Sequence, residues 1–344
     1  MNFLKYSVTL LLVGILSIGA SSQVFAQDDN YANAISAFNK ALEHAKANEF
    51  ENAINMYNQA ISLAEESDNE KAPEIVDRSQ NQLPSIYFQM AASKYKNFQK
   101  NQNMANLDET INSFQEAADI SEEYGNGQIA QKATGIVTQL LYTKSIIQFK
   151  SQQFDDAIAT LDQVIERNSN YAKAYYQKGI VIKNKNDQNL DQALEMFDKA
   201  IEVGSGAGND QQIVRQATTA AHDNLVYRGK QQMDQKNFDQ AVEMLNRALE
   251  YNSESAAAHY RLAEVHNKQT NWDQAISHAR QALEYETNAK TELAKIYFEL
   301  GTALKAQGKV SEACSAFKNA AFGSFQSPAE HQMEFELKCE SSTR

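Results

Sequence analysis

The chain has 344 residues, 42% hydrophobic and 22% charged, with 44 acids against 32 lysines and arginines for a formal net charge of −12. So acidic a chain repels a polyphosphate backbone, which argues against nucleic-acid binding. Only 3 prolines and an evenly spread apolar content suit an all-helical protein.

Residues 1–26 stand apart. Lys5 gives a positive start, Val8–Ile18 is apolar except at Thr9, Gly14 and Ser17, and Val24-Phe25-Ala26 resembles a cleavage site. This is the pattern of a secretory signal peptide. An uncleaved anchor is the alternative, because no charge falls between Tyr6 and Ala26. Ser17, Gly19, Ser21, Ser22 and Gln23 dilute its second half and favour cleavage. No Cys follows the apolar run to carry a lipid, and no later segment could span a membrane. Cleavage would remove Lys5 and no acid, leaving a mature chain at −13 without a transmembrane segment. No Asn lies in an N-x-Ser/Thr sequon, which favours a bacterial envelope, periplasmic or secreted.

Along the rest of the chain a small residue, a bulky apolar one four positions on and a small one three further recur seven times. The copies are Thr110/Phe114/Ala117, Ala157/Leu161/Val164 and, more regularly, Ala53/Tyr57/Ala60, Ala193/Phe197/Ala200, Ala241/Leu245/Ala248, Ala275/Ala279/Ala282 and Ala313/Phe317/Ala320. The most regular neighbouring units begin at His222 and Ala256, 34 residues apart. A fixed period of that size predicts a stacked solenoid.

With Leu225, Gly229, Phe238, Ala241, Leu245 and Ala248, the unit at His222 resembles a tetratricopeptide repeat. So do the units beginning at Ala172 and Ala294, the latter through Tyr297, Leu300, Gly301, Leu304, Ala313, Phe317 and Ala320. The resemblance covers about residues 34–321. It implies an all-α, right-handed superhelical solenoid of about seven helix pairs, A and B, with a C-terminal capping helix. Small residues at positions 8 and 20 would let helices A and B approach closely. Acids in the first turn of helix B (Glu51, Asp155, Asp239, Asp273) suit its positive end.

The expected organisation is a signal peptide at 1–26, irregular repeats 1–3 at 27–170, regular repeats 4–7 at 171–321, and a cap and tail at 322–344. The irregularities are specific. A connection at Ser67–Gln82 contains Pro73, and helix A of repeat 2 is expected at Pro84–Lys100. Extra residues fall near Asn101–Asn106 and Asp187–Asn189. About fourteen more, Gly204–Ala217, should add a loop and lengthen the next helix. Beyond Ala321, Phe335 and Leu337 are expected to cover the last apolar face. Cys314 and Cys339, an even pair in an exported chain, read as a disulfide pinning that cap, with two buried thiols as the alternative.

Nothing along the chain calls for catalysis, a metal or a cofactor. Gly204-Ser205-Gly206-Ala207-Gly208 follows a helix rather than a strand and reads as a helix stop and flexible linker. His259 and His266 fall at core positions 4 and 11 of repeat 6 and read as packed histidines.

The resemblance instead directs attention to helix A, which in this family lines a concave groove through positions 2, 5, 9, 12 and 13. Carried over residue by residue, those positions give Tyr142, Phe149, Tyr176, Tyr260 and Phe298 as an aromatic series. They also give seven lysines, Lys150, Lys173, Lys183, Lys230, Lys268, Lys295 and Lys305, against Asp223, Asp234 and Glu264. A basic aromatic groove suits an extended acidic peptide. The lysine–asparagine carboxylate clamp of some relatives is not matched, since Tyr176, Ile180 and Tyr227, or Val226, Lys230 and Arg261, occupy its positions. The sequence thus predicts an exported, non-catalytic interaction scaffold with a protein or peptide partner. A structural subunit of an envelope assembly or secretion complex is the rival reading.

Overall fold

The structure, a computed structural model, describes residues 29–287 and 290–339. The expected signal peptide and the last five residues lie outside the described residues. Two compact units divide between Thr134 and Gly135. Among the described residues there is no strand, and no helix is long and apolar enough to cross a membrane.

In the first unit, α1 (Asp29–Lys46) packs on α2 (Phe50–Glu65), which packs on α3 (Ala72–Lys100); α4 (Met104–Glu123) lies against α3. Phe38 of α1 meets Tyr57 of α2 edge-on with ring centroids 5.7 Å apart, and Ala41, Ala53 and Ala60 are fully buried beside them. The connection expected at Ser67–Gln82 ends at Lys71, and the helix expected from Pro84 begins at Ala72. Pro73 opens α3, and Pro84 lies inside it. A proline at Pro84 removes one helical hydrogen bond and costs about 3 kcal/mol in isolation. The helix nevertheless continues, because Ile75, Ser79, Leu83 and Ile86 form a buried stripe across the site. The extra residues after Lys100 leave a short turn before α4, where Asn103 accepts from the Asn106 backbone N–H at 2.8 Å.

Helix α5 (Gly127–Lys150) runs through the division, and the second unit continues with α6 (Phe154–Arg167), α7 (Ala172–Lys185) and α8 (Leu190–Ser205). Then come α9 (Gln211–Asp234), α10 (Phe238–Tyr251), α11 (Ala256–Lys268), α12 (Trp272–Tyr285), α13 (Lys290–Ala306) and α14 (Val310–Ala320). With the first unit these make seven helix pairs. Successive first helices α7, α9, α11 and α13 touch in sequence and so form one face. First-turn acids of the second helices reach the following repeat. Asp155 pairs with Lys185, Asp239 accepts from Gln269 at 2.8 Å, and Asp273 accepts from Gln307 at 2.6 Å.

The turn inside five of the seven pairs also recurs. Asn48, Gln152, Lys236, Thr270 and Gly308 all have φ between 60° and 73°, each followed by an N–H that reaches back five residues. This is the hydrogen-bonding of a Schellman stop. Only Gly308 adopts it without a Cβ penalty, and the β-branched Thr270 is the most strained of the set.

The C-terminal end is a 3-10 turn at Gly323–Phe325, α15 (Gln326–His331) and a π-helical turn at Gln332–Glu336. A disulfide joins Cys314 on α14 to Cys339, with Cα atoms 5.8 Å apart. Ala329, Met333 and Leu337 pack on the last core cluster. Phe335 does not cover that face as expected. It is 67% exposed and lies against His331, with ring centroids 5.2 Å apart. The π-helical turn places Phe335 on the outward side of the cap.

The close approach of each pair is set by small residues. A Cβ at Gly179 would stand 2.7 Å from the Phe197 ring and 3.0 Å from the Ala193 carbonyl. At Gly229 it would meet Leu245 at 2.7 Å, and at Gly301 it would meet Phe317 at 2.9 Å. Exposed Gly135, with nothing within 4 Å of such a Cβ, is the control. Gly135→Ala should stabilise by up to about 1 kcal/mol through helix propensity. Gly179→Ala should lower stability despite the same gain, because overpacking costs about 1–3 kcal/mol. Urea midpoints of the two variants check both signs.

Candidate functional site

The face made by α7, α9, α11 and α13, with Tyr142 of α5 against Tyr171 at the start of α7, carries the residues singled out from the sequence, but it is not uniform. At the C-terminal end the side chains are engaged with one another. Tyr260 is 7% exposed, with the Lys295 ammonium 4.6 Å and the Arg261 guanidinium 5.0 Å from its ring centroid. Burial, reinforced by Glu264 and Glu299, pushes its phenol far up. Arg261 and Lys268 share Glu264, and Lys295 pairs with Glu292. Phe298 lies between Phe317 and Phe325, with centroids 5.5 and 5.3 Å away. Lys305 donates to Gln332 at 2.7 Å and pairs with Glu336 at 3.2 Å, both on the cap. Glu299 sits among these groups. Its carboxylate accepts from Asn267 at 2.7 Å, yet burial outweighs that bond and raises its pKa.

The middle of the face is more open. Tyr142 and Tyr171 meet edge-on at 5.5 Å, and Tyr176 leans on Phe197 at 5.9 Å. Burial first, then the neighbouring Tyr171 and Tyr176, push the Tyr142 phenol up to about 12. Phe149 packs back on Phe154 at 6.0 Å. Lys173 pairs with Asp210 at 3.4 Å and Lys230 with Asp234 at 2.5 Å. Lys150 and Lys183, in the last turns of α5 and α7, face no acid among the described residues.

The lysine excess expected along the whole face is therefore confined to its middle. Five of the seven lysines have carboxylate partners, and only Asp234 and Glu264 of those partners occupy groove positions of helix A. Asp210, Glu292 and Glu336 come from a helix start, a first turn and the cap. The Glu292–Lys295 and Arg261–Glu264–Lys268 spacings of three and four residues were visible signals for part of this. Asp210 and Glu336 had no local signal.

The histidines form a cluster that sequence spacing only half disclosed. Repeat 6 has Ala279 where other pairs place Tyr, Phe or Leu, and imidazoles stack between α11 and α12. His259 donates through Nε2 to the Ser253 carbonyl at 3.1 Å, which leaves Nδ1 to accept from His278 Nδ1 at 3.0 Å. His266 stacks on His278 with centroids 5.6 Å apart, and its Nδ1 is buried without a partner. Tyr285 also stacks on His259, with centroids 5.7 Å apart. Among the described residues no group of three His, Cys, Asp or Glu could hold a metal ion.

Burial lowers the pKa of all three imidazoles, and that of His278 falls to about 4 with His259 and His266 adding to the effect. The unfolded chain thus binds more protons than the folded chain below the ordinary histidine pKa of about 6.5. The cluster is harmless above that pH, and its cost should grow as pH falls from about 6.5 to about 4. The thermal midpoint should drop through this window, and His278→Gln should flatten the drop; nuclear magnetic resonance titration of the histidines gives the individual transitions.

Comparison with known proteins places this geometry in a family. Residues 142–210 and 228–292 match one tetratricopeptide-repeat family, and residues 39–67 match a second. The chain is a tetratricopeptide-repeat protein. Similar solved structures include the MamA protein, 21% identical, covering 58% of this chain and 95% of that one with a TM-score of 0.34. YrrB, described as a TPR protein with an unusual peptide-binding site, is 19% identical over 57% of this chain and 91% of its own, with a TM-score of 0.34. The TPR2AB domain of yeast Sti1, solved as a pHSP90 complex, is 16% identical over 73% and 96%, with a TM-score of 0.28. No curated protein matches by sequence.

Proposed function

We propose that this tetratricopeptide-repeat protein is an exported, non-catalytic interaction scaffold that holds an extended acidic peptide or protein segment along α5, α7 and α9. One observation carries the reading: among the described residues Lys150 and Lys183 form no ion pair, two helical turns beyond Tyr142 and Tyr176 on the same helices, in a chain whose net charge is −12. Unpaired cations steer an acidic segment, and half-buried tyrosines offer rigid contact area at little entropic cost. The engaged side chains of α11 and α13 would have to break internal pairs before binding anything. Export, to the periplasm of a bacterial envelope or beyond, rests on the signal-like residues 1–26.

Affinity capture from the native envelope tests this directly. Lys150→Glu with Lys183→Glu should release the captured partner, as should about 0.5 M salt, which shortens the range of electrostatic attraction. Lys295→Glu should matter less, because Lys295 is already held over Tyr260 and against Glu292. A partner retained unchanged by the double reversal and by salt would instead support the structural-subunit reading.

A further inference from the structure

Helix α9 begins eleven residues before His222, where the repeat frame would start it. At a rise of about 1.5 Å per residue, that is about 16 Å of additional helix. The expected loop and lengthened helix are both present. The loop is a tight turn rather than a flexible linker, with Gly208 N–H bonded to the Val203 carbonyl and Asp210 N–H to the Gly204 carbonyl, each at 2.9 Å. Asp210 caps the extension by accepting from Ile213 N–H at 3.2 Å.

The extension has two sides. Ile213, Ala217 and Ala221 are buried with the core between α8 and α9. Arg215, Gln216 and Thr219 are exposed and, with Tyr176 and Ala220, line an open recess of about 380 Å³. Arg215 is the single charged residue between 211 and 221, in a chain that carries 44 acids. Its helix neighbours three and four positions away, Gln211, Gln212, Thr218 and Thr219, are all neutral, so no ion pair along the helix can satisfy it. Among the described residues its guanidinium has no carboxylate, and the hydroxyls of Tyr142 and Tyr176 have no hydrogen-bond partner.

We infer that the α9 extension builds a subsite in which Arg215, with Tyr176 and Thr219, receives a carboxylate side chain of an extended acidic peptide. The inference rests on the proposed function and adds a position to it. Arginine is suited to this task, since its planar fork of donors matches a carboxylate in two parallel hydrogen bonds. Thr219 and the Tyr176 hydroxyl can each donate to the same oxygens. The recess is open on one side, so it fits a side chain from a segment lying across the face, not an enclosed small molecule. Lys173, three residues before Tyr176, is already neutralised by Asp210, and Arg215 is the cation among the residues lining the recess.

The test uses the full chain and a fluorescein-labelled peptide of about twelve residues repeating Glu-Leu-Ser, with a Gln-Leu-Ser counterpart, read by fluorescence anisotropy. Wild type should prefer the Glu peptide, and Arg215→Ala should weaken that peptide about tenfold while leaving the Gln peptide unchanged. Arg215 is exposed and unpaired, so unchanged helical circular dichroism should confirm that the variant folds. Arg215→Ala binding the Glu peptide as well as wild type, while Lys150→Glu with Lys183→Glu weakens it, would overturn the subsite and leave the proposed function standing. Wild type binding neither peptide, or both equally, would overturn the two together.

Discussion

Everything else in this molecule depends on how closely the two helices of a repeat approach. Gly179 against Phe197, Gly229 against Leu245 and Gly301 against Phe317 leave no space for even one additional carbon. Each crossing is therefore a contact of backbone with a bulky side chain, and that contact fixes the rotation of both helices about their axes. Once the rotation is set, residues on the remaining face of the first helix point away from the core. That face is a by-product of packing, and its chemistry is free to vary.

Two departures from the repeat turn a generic face into a particular one. The cap, held by the Cys314–Cys339 disulfide, reaches back through Gln332 and Glu336 to Lys305 and places Phe325 on Phe298. It occupies groups that would otherwise be offered to a partner. The added turns of α9 do the opposite and bring an unpaired arginine to the middle of the face. Capping a solenoid is a requirement of solubility; lengthening an inner helix is not, which makes the α9 extension the more specific feature.

Packing was far more legible in the sequence than electrostatics. The recurrence of small and bulky residues located all seven helix pairs, because the contact it encodes lies within one repeat. Pro84 misled for the opposite reason: a local rule starts a helix at proline, and the tertiary burial of Ile75, Ser79 and Leu83 carries the helix back to Ala72. Charge pairs depend on side chains that meet through space, so Lys173–Asp210 and Lys305–Glu336 could not be read from helix positions. His278 was missed similarly. It lies one residue before the marked Ala279, and only the missing bulk at Ala279 hints that imidazoles stack beside it.

The central claim is that a partner lies over the middle of the face and not over its C-terminal end. Site-specific photocrosslinking in the native cell tests it most directly, with a photoreactive phenylalanine at Lys183 in one variant and at Lys295 in another. The account predicts a partner crosslink from position 183 and little or none from position 295. A crosslink from 295 with none from 183 would contradict it.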